Sequence, residues 1–160
     1  MTKGYVRTAN HADVSIIARD MREADVAEVQ ALSGHSPEEA LKNGLKLSQG
    51  GAKTICLSND IPVGMYGVVP TDQPRVGLVW MLAANGIKAV HRQFLRESRD
   101  RINELLMDYD LAFNFTDARN HVHHRWIKWA GFTIINERKD FGVERRPFLE
   151  FALIVEKEYV

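Results

Sequence analysis

The sequence predicts one α/β domain, α+β in its detailed layout, built on a mixed central sheet of about six or seven strands flanked by helices. Three observations lead there. The 160 residues are 45% apolar and 26% charged, ordinary values for a globular domain that buries about 70% of its unfolded surface. Hydrophobic periodicity and turn signals give the element order β-α-α-α-β-β-β-α-β-α-β-β. In that order a run of strands joined by tight turns precedes strand–helix–strand units, which combines antiparallel and parallel pairing in one sheet. The expectation is a single domain over residues 1–160, without repeat, low-complexity stretch or linker.

Tyr5-Val6-Arg7-Thr8 is a short first strand. Asn10 caps a helix from His11, with Val14, Ile17 and Ala18 on one face. A second helix, Ala24 to Leu32, stops at Ser33-Gly34, where glycine supplies a C-cap. Ser36-Pro37-Glu38-Glu39 opens a third. Ser36 and Glu39 have capping-box spacing, and Pro37 suits the first helical position because its missing N–H is no loss there. Leu41 and Leu45 form an i, i+4 apolar pair, and Gly50-Gly51 ends the helix. Lys53 to Ser58 and Pro62 to Val69 flank the turn signal Asn59-Asp60 and form a hairpin. Arg75 to Met81 is the next strand. Asn85-Gly86 leads into a long helix to about Asp108, with Phe94, Leu95, Ile102, Leu105 and Leu106 as its buried stripe. Leu111 to Phe115 is a strand. Asp117 or Asn120 caps a helix carrying Val122, Trp126 and Trp129 at i, i+4 and i+7, and Gly131 terminates it. Phe132 to Arg138 and Pro147 to Val155 close the sheet through a charged loop containing Gly142.

Charge and cysteine content narrow the function classes. Acidic and basic residues balance at 21 each, whereas a dedicated nucleic-acid binder carries a basic excess or stripe. The richest basic stretch, Arg92 to Arg101, is interleaved with Glu97 and Asp100 and has the pattern of a solvated helix face. Cys56, the only cysteine, lies in a strand as a small hydrophobe, and a reducing compartment suits the chain. Met1 to Tyr5 has no apolar leader core, and nowhere do eighteen apolar residues run together. A membrane span is therefore not expected. His121 and His124 share a helix face while His123 points elsewhere, and without evident further ligands no metal is assigned.

The segment Asn120 to Phe132, Asn-His-Val-His-His-Arg-Trp-Ile-Lys-Trp-Ala-Gly-Phe, resembles a late motif of the GNAT superfamily of N-acetyltransferases. There an asparagine opens a helix that an aliphatic-Tyr-x-x-x-Gly-Phe stretch closes. Val6-Arg7-Thr8-Ala9 followed by Asp13 is similar to the superfamily's opening strand and helix, and the element order agrees along nearly the whole chain. The resemblance implies the GNAT acyl-CoA N-acyltransferase fold. A narrower resemblance runs through Met21 to Asp25, Gly34 to Leu41, Gly64 to Val68, and Trp80-Met81-Leu82 with Phe94-Leu95-Arg96. These stretches look like the phage-encoded internal virion protein A family.

In the GNAT pattern a glycine-rich loop after a strand holds the diphosphate of acetyl-CoA, because converging backbone N–H groups at a helix N-terminus need close approach. The matching segment, Leu82 to Lys88, keeps one glycine and lacks the basic or glutamine residue that opens the motif. Lys88 offers a charge and the helix terminus a dipole. If acetyl-CoA binds, the resemblance places it at Met81, Leu82, Gly86, Lys88 and Asn120. The tyrosine that protonates the departing thiolate in many members falls on Ile127, which has no proton to give. Glu23, Glu28, His35, Asp60 and His91 are all conceivable as a general base, none singled out, and each reads more readily as a surface residue or cap. No catalytic residue is assigned.

Together these features favour a degenerate acetyltransferase scaffold, phage-encoded and used in virion assembly or as an internal virion or host-interaction protein. That function implies a phage or host protein partner or a homo-oligomer, a place in the host cytoplasm or virion, no cofactor, and a filled or collapsed cleft near Met81 and Phe115. The alternative is an active acetyl-CoA-dependent N-acetyltransferase acting on a small amine or a protein amine.

Overall fold

Local signals in the sequence set most element boundaries. In the computed structural model, which describes residues 3–157, β1 (Gly4–Thr8) leads to α1 (His11–Arg19), α2 (Glu23–Ser33) and α3 (Pro37–Leu47). Met1, Thr2 and residues 158–160, part of the single-domain expectation, lie outside the described residues. Asn10 is the N-cap of α1 and Gly34 the C-cap of α2 at φ 75°, a left-handed conformation that glycine adopts without strain. The capping box of α3 is present: Glu39 N–H donates to Ser36 Oγ at 3.2 Å, and Ser36 N–H donates back to Glu39 Oε1 at 3.3 Å.

The remaining elements are β2 (Lys53–Leu57), β3 (Pro62–Pro70), β4 (Val76–Ala83), α4 (His91–Leu105), β5 (Leu111–Asp117), α5 (His121–Trp129), β6 (Thr133–Phe141) and β7 (Arg146–Ile154). Several boundaries depart from expectation: β4 runs on to Ala83, β5 to Asp117 and β6 to Phe141, where Met81, Phe115 and Arg138 were the expected ends. Asn85–Val90 is a 3₁₀ turn, so α4 starts at His91 and ends at Leu105. Helix α5 buries His124 and Ile127, while Val122 and Trp129 are 47% and 54% exposed. The expected Val122–Trp126–Trp129 stripe is thus turned outward by about one residue, and only Trp126 of the three packs against the core. His124 tolerates burial because Nε2 is 2.8 Å from the Asp117 carbonyl oxygen.

The seven strands form one sheet in the order β1-β2-β3-β4-β5-β7-β6. Every neighbouring pair is antiparallel except β4 and β5. One apolar cluster joins α1–α3 to the sheet through Ile17, Leu41, Met65 and Leu82. Two others cover the opposite face beneath α4 and α5, around Ile102, Ile127 and Phe132 and around Tyr66, Val90 and Phe94. Cys56 is buried in β2. No helix among the described residues is long and apolar enough to cross a membrane.

The feature that positions a site is the parallel pair. β4 and β5 are in register only over Val76–Leu78 and Leu111–Phe113. Beyond that they diverge, and the sheet opens into a wedge between Val79–Ala83 and Asn114–Asp117.

Candidate functional site

Strand divergence leaves backbone polar groups that must find other partners. Ala83 donates its N–H to Asp25 Oδ2 at 3.0 Å, and its carbonyl accepts the Arg22 N–H at 2.9 Å. Ala83 is therefore turned away from β3. By strand alternation so are Met81 and Val79, and their peptide groups face the wedge. The Val79 carbonyl accepts from Asn114 Nδ2 at 2.5 Å.

Helix α2 spans the mouth of the wedge. Asp25 is buried and uses both oxygens: Oδ2 takes Ala83 N–H, and Oδ1 accepts Asn120 Nδ2 at 3.1 Å. Arg22 Nη2 lies 3.3 Å from both Asp25 Oδ1 and Asn120 Oδ1. One turn on, Glu28 Oε1 accepts Thr116 Oγ1 at 2.8 Å and Asp117 N–H at 2.6 Å. Glu28 Oε2 has no hydrogen bond among the described residues. The i, i+3 spacing of Arg22, Asp25 and Glu28 puts them on one helix face, so a single face ties the end of β4 to the end of β5.

Inside this tie lies a cavity of about 460 Å³ that passes through the sheet. Leu32, Leu47, Trp80 and Phe141 line its α2–α3 side, and Ile102 and Trp126 line its α4–α5 side. Its volume suits one small organic ligand. The expected filled or collapsed cleft at Met81 and Phe115 is not what the structure has: both residues line open space. The walls are apolar with few polar groups, chiefly Glu28, His35, Asn43, Asn114 and His123.

Two of those groups are strongly perturbed. Burial, reinforced by the nearby Asp25 and Asp117, pushes the Glu28 carboxyl up to about 7 despite its bonds from Asp117 N–H and Thr116 Oγ1. Burial, helped by Arg22 and opposed by Asp25, holds His123 down at about 4. At neutral pH His123 is therefore an uncharged imidazole, and Glu28 divides between acid and carboxylate. Trp126 Nε1 is buried without a partner among the described residues.

The residues expected to hold acetyl-CoA separate into groups. Met81 and Leu82 line the cavity. Asn120 is 2% exposed and committed to Arg22 and Asp25. Gly86 packs on the core: a Cβ there would stand 2.8 Å from Val63 Cγ1. Lys88 is exposed on the 3₁₀ turn, away from the cavity lining. Ile127 is fully buried in the core. Of the five candidate bases, Glu28 and His35 reach the cavity. Glu23 and His91 are exposed, and Asp60 accepts the Tyr5 hydroxyl at 2.5 Å. No cluster of three or more His, Cys, Asp or Glu suited to a metal occurs among the described residues.

Solved structures share this architecture over almost the entire chain. Ard1 from Thermoplasma volcanium superposes with a TM-score of 0.72 at 13% identity, covering 96% of this chain and 99% of that one. A GNAT-family acetyltransferase from Bacillus anthracis gives 0.71 at 10% identity, covering 98% and 100%. The chain has the GNAT fold. Spermidine N-acetyltransferase from Vibrio cholerae, solved with CoA and spermine, gives 0.69 at 10% identity over 96% of each chain. At these identities the likeness establishes the fold alone. No known protein-family profile and no curated protein matches the sequence, so the narrower phage resemblance finds no support there.

Proposed function

We propose that the protein transfers an acyl group from a thioester to an amine bound in the cleft between β4 and β5. The observation that carries this reading is Glu28: a carboxyl near 7, fixed on one oxygen by β5, with its other oxygen free beside an apolar cavity. A base poised near the working pH accepts a proton most effectively. As the amine nitrogen bonds to the acyl carbon, the Glu28 carboxylate takes the proton from nitrogen; the carbon–sulfur bond then breaks with its electron pair going to sulfur, the thiolate leaves and takes a proton from solvent, and Glu28 returns its own proton to solvent. The wedge-facing peptide group of Met81 orients polar groups of a ligand in the gap, and the apolar walls exclude water. Neutral His123 faces the same cavity without adding a charge that would repel a protonated amine.

Coenzyme A, present in the Vibrio cholerae spermidine N-acetyltransferase structure of the same fold, suits the cavity at its thiol end. It does not suit the turn that would hold its diphosphate, where Asn85 N–H is bound to the Asp20 carbonyl and Ile87 N–H to Ala84. No step is therefore assigned to the nucleotide part. The test incubates the protein with an acetyl thioester and a panel of small amines and peptide N-termini, following thiol release and N-acetylated product by mass spectrometry. Product above the uncatalysed rate, falling at least about 100-fold in Glu28→Gln, is expected. No product from any amine contradicts the reading.

A second reading rests on that closed turn together with the sequence resemblance: a phage-encoded scaffold in virion assembly or host interaction, held by a phage or host protein in the host cytoplasm or virion. A fold can outlive its chemistry. This reading predicts no transfer to any amine and stable association with one virion or host protein during infection.

A further inference from the structure

The turn after β4 is built to stay shut. Asn85 donates its N–H to the Asp20 carbonyl at 2.9 Å, and its side chain reaches the same carbonyl at 3.0 Å and the Asp20 carboxylate at 3.1 Å. Ile87 N–H is bound to the Ala84 carbonyl at 3.1 Å, and His91 N–H to that of Lys88. Two amides at the head of the turn that could face an anion, those of Asn85 and Ile87, are thereby already bonded. Ile87 and Val90 anchor it, at 6% and 3% exposure, and pulling it open would expose both. Gly86 is glycine because Val63 leaves no room for a Cβ, a reason that has nothing to do with phosphate. The Asp20 carboxylate at the turn offsets the charge of exposed Lys88, so the pair offers a diphosphate no net positive charge.

The cavity agrees with the turn. Its lining includes Leu82 but no residue from 83 to 91. Just beyond its wall, Phe94 of α4 stacks on Trp126 of α5 with ring centroids 5.6 Å apart. Phe94, in the first turn of α4, thus backs the cavity wall at Trp126 without lining the cavity itself. Apolar space therefore ends before a nucleotide seat could begin.

Resting on the acyl-transfer reading, we propose that this chain recognises its donor through the acyl-thioester arm alone and leaves any nucleotide and diphosphate in solvent. The donor class is a short acyl thioester, on coenzyme A or on any other thiol of pantetheine length. The experiment titrates the full chain with S-acetylpantetheine, acetyl-CoA and adenosine 3′,5′-bisphosphate. Binding is followed by calorimetry and by tryptophan fluorescence, since Trp80 and Trp126 line the cavity. Dissociation constants for the two thioesters are expected to agree within about tenfold, with the bisphosphate displacing neither. Acetyl-CoA affinity changes less than about twofold between 50 and 300 mM salt, because no phosphate is held by charge. Acetyl-CoA binding more than about tenfold tighter than S-acetylpantetheine, or displacement by the bisphosphate, overturns the donor preference and leaves acyl transfer standing. Failure of both thioesters to bind at millimolar concentration overturns acyl transfer itself, and the donor preference with it.

Discussion

Replacing Glu28 with glutamine should unmask a pH dependence of stability that the intact protein conceals. Glu28 sits near 7 instead of 4.5, and His123 near 4 instead of 6.5. At 1.36 kcal/mol per pH unit, either displacement separates the charged and neutral forms by about 3 kcal/mol. The two act in opposite directions. Glu28 has a raised value, so its contribution is full below 4.5 and is lost as pH rises through about 7. His123 has a depressed value, so its contribution is full above 6.5 and is lost as pH falls through about 4. Between roughly pH 4.5 and 6.5 the two slopes offset each other. Glu28→Gln leaves the slopes of His123 and of the likewise depressed His124 unopposed, and stability should climb from pH 4 to 6.5, with up to about 3 kcal/mol of the rise from His123. His123→Asn leaves the carboxyl slope opposed only by that of His124, whose value burial also depresses, and stability should fall from about pH 4.5 to 7. Both groups feel Asp25, so these figures are upper bounds. Urea unfolding at half-unit pH steps, with the slope m checked for constancy, measures each profile. Superimposable profiles for Glu28→Gln and wild type would refute the claim that burial in the cleft holds Glu28 near neutrality.

Two further substitutions probe the frame around the cleft. Asp25→Ala strips the partner from the buried Ala83 N–H and from Asn120. At about 1–3 kcal/mol for each orphaned group, it should cost roughly 3 kcal/mol in chemical denaturation, with Asp25→Asn costing less. Ile127→Tyr introduces, at a fully buried site, the tyrosine that the late-motif resemblance would place there. It should destabilise by about 1–3 kcal/mol through overpacking and leave the transfer rate no higher. A faster, equally stable Ile127→Tyr protein would mean that α5 presents this position to the donor.

The parts of the fold with local chemical causes were legible in the sequence. Ser36 and Glu39 cap α3 as their spacing required, and Gly34 takes the left-handed conformation that ends α2. Asn59-Asp60 turns the β2–β3 hairpin, with Asp60 at φ 68°. Where a long-range partner decides, local pattern gave the wrong face or boundary. Asn85-Gly86 has the signal of a helix start, yet Asn85 is bound to Asp20 and Gly86 packs on Val63. His124 lies off the expected Val122–Trp126–Trp129 stripe, yet it is buried with its ring bonded to the Asp117 carbonyl, and α5 is rotated away from that stripe.

The same limit governs the site. Met81 and Phe115 marked the right gap between strands, but whether it was filled depended on packing across the whole sheet. Glu28 was one of five candidate bases with nothing local to distinguish it. Its partners Thr116 and Asp117 are 88 and 89 residues away, and its perturbation comes from that distant strand and from burial. The tie of Arg22 and Asp25 to Asn120 was invisible for the same reason. Its one sequence trace is the i, i+3 spacing of Arg22, Asp25 and Glu28, a pattern common on solvated helices.

The pH dependence of acetyl transfer tests the central claim most directly. With a fixed acetyl thioester and the best amine acceptor, the wild-type rate should rise with pH and level off near 7, the value at which Glu28 becomes a base. Glu28→Gln should bind the thioester as wild type does, yet transfer at least about 100-fold more slowly with no break near 7. A Glu28→Gln protein that keeps the wild-type rate and profile would contradict the account.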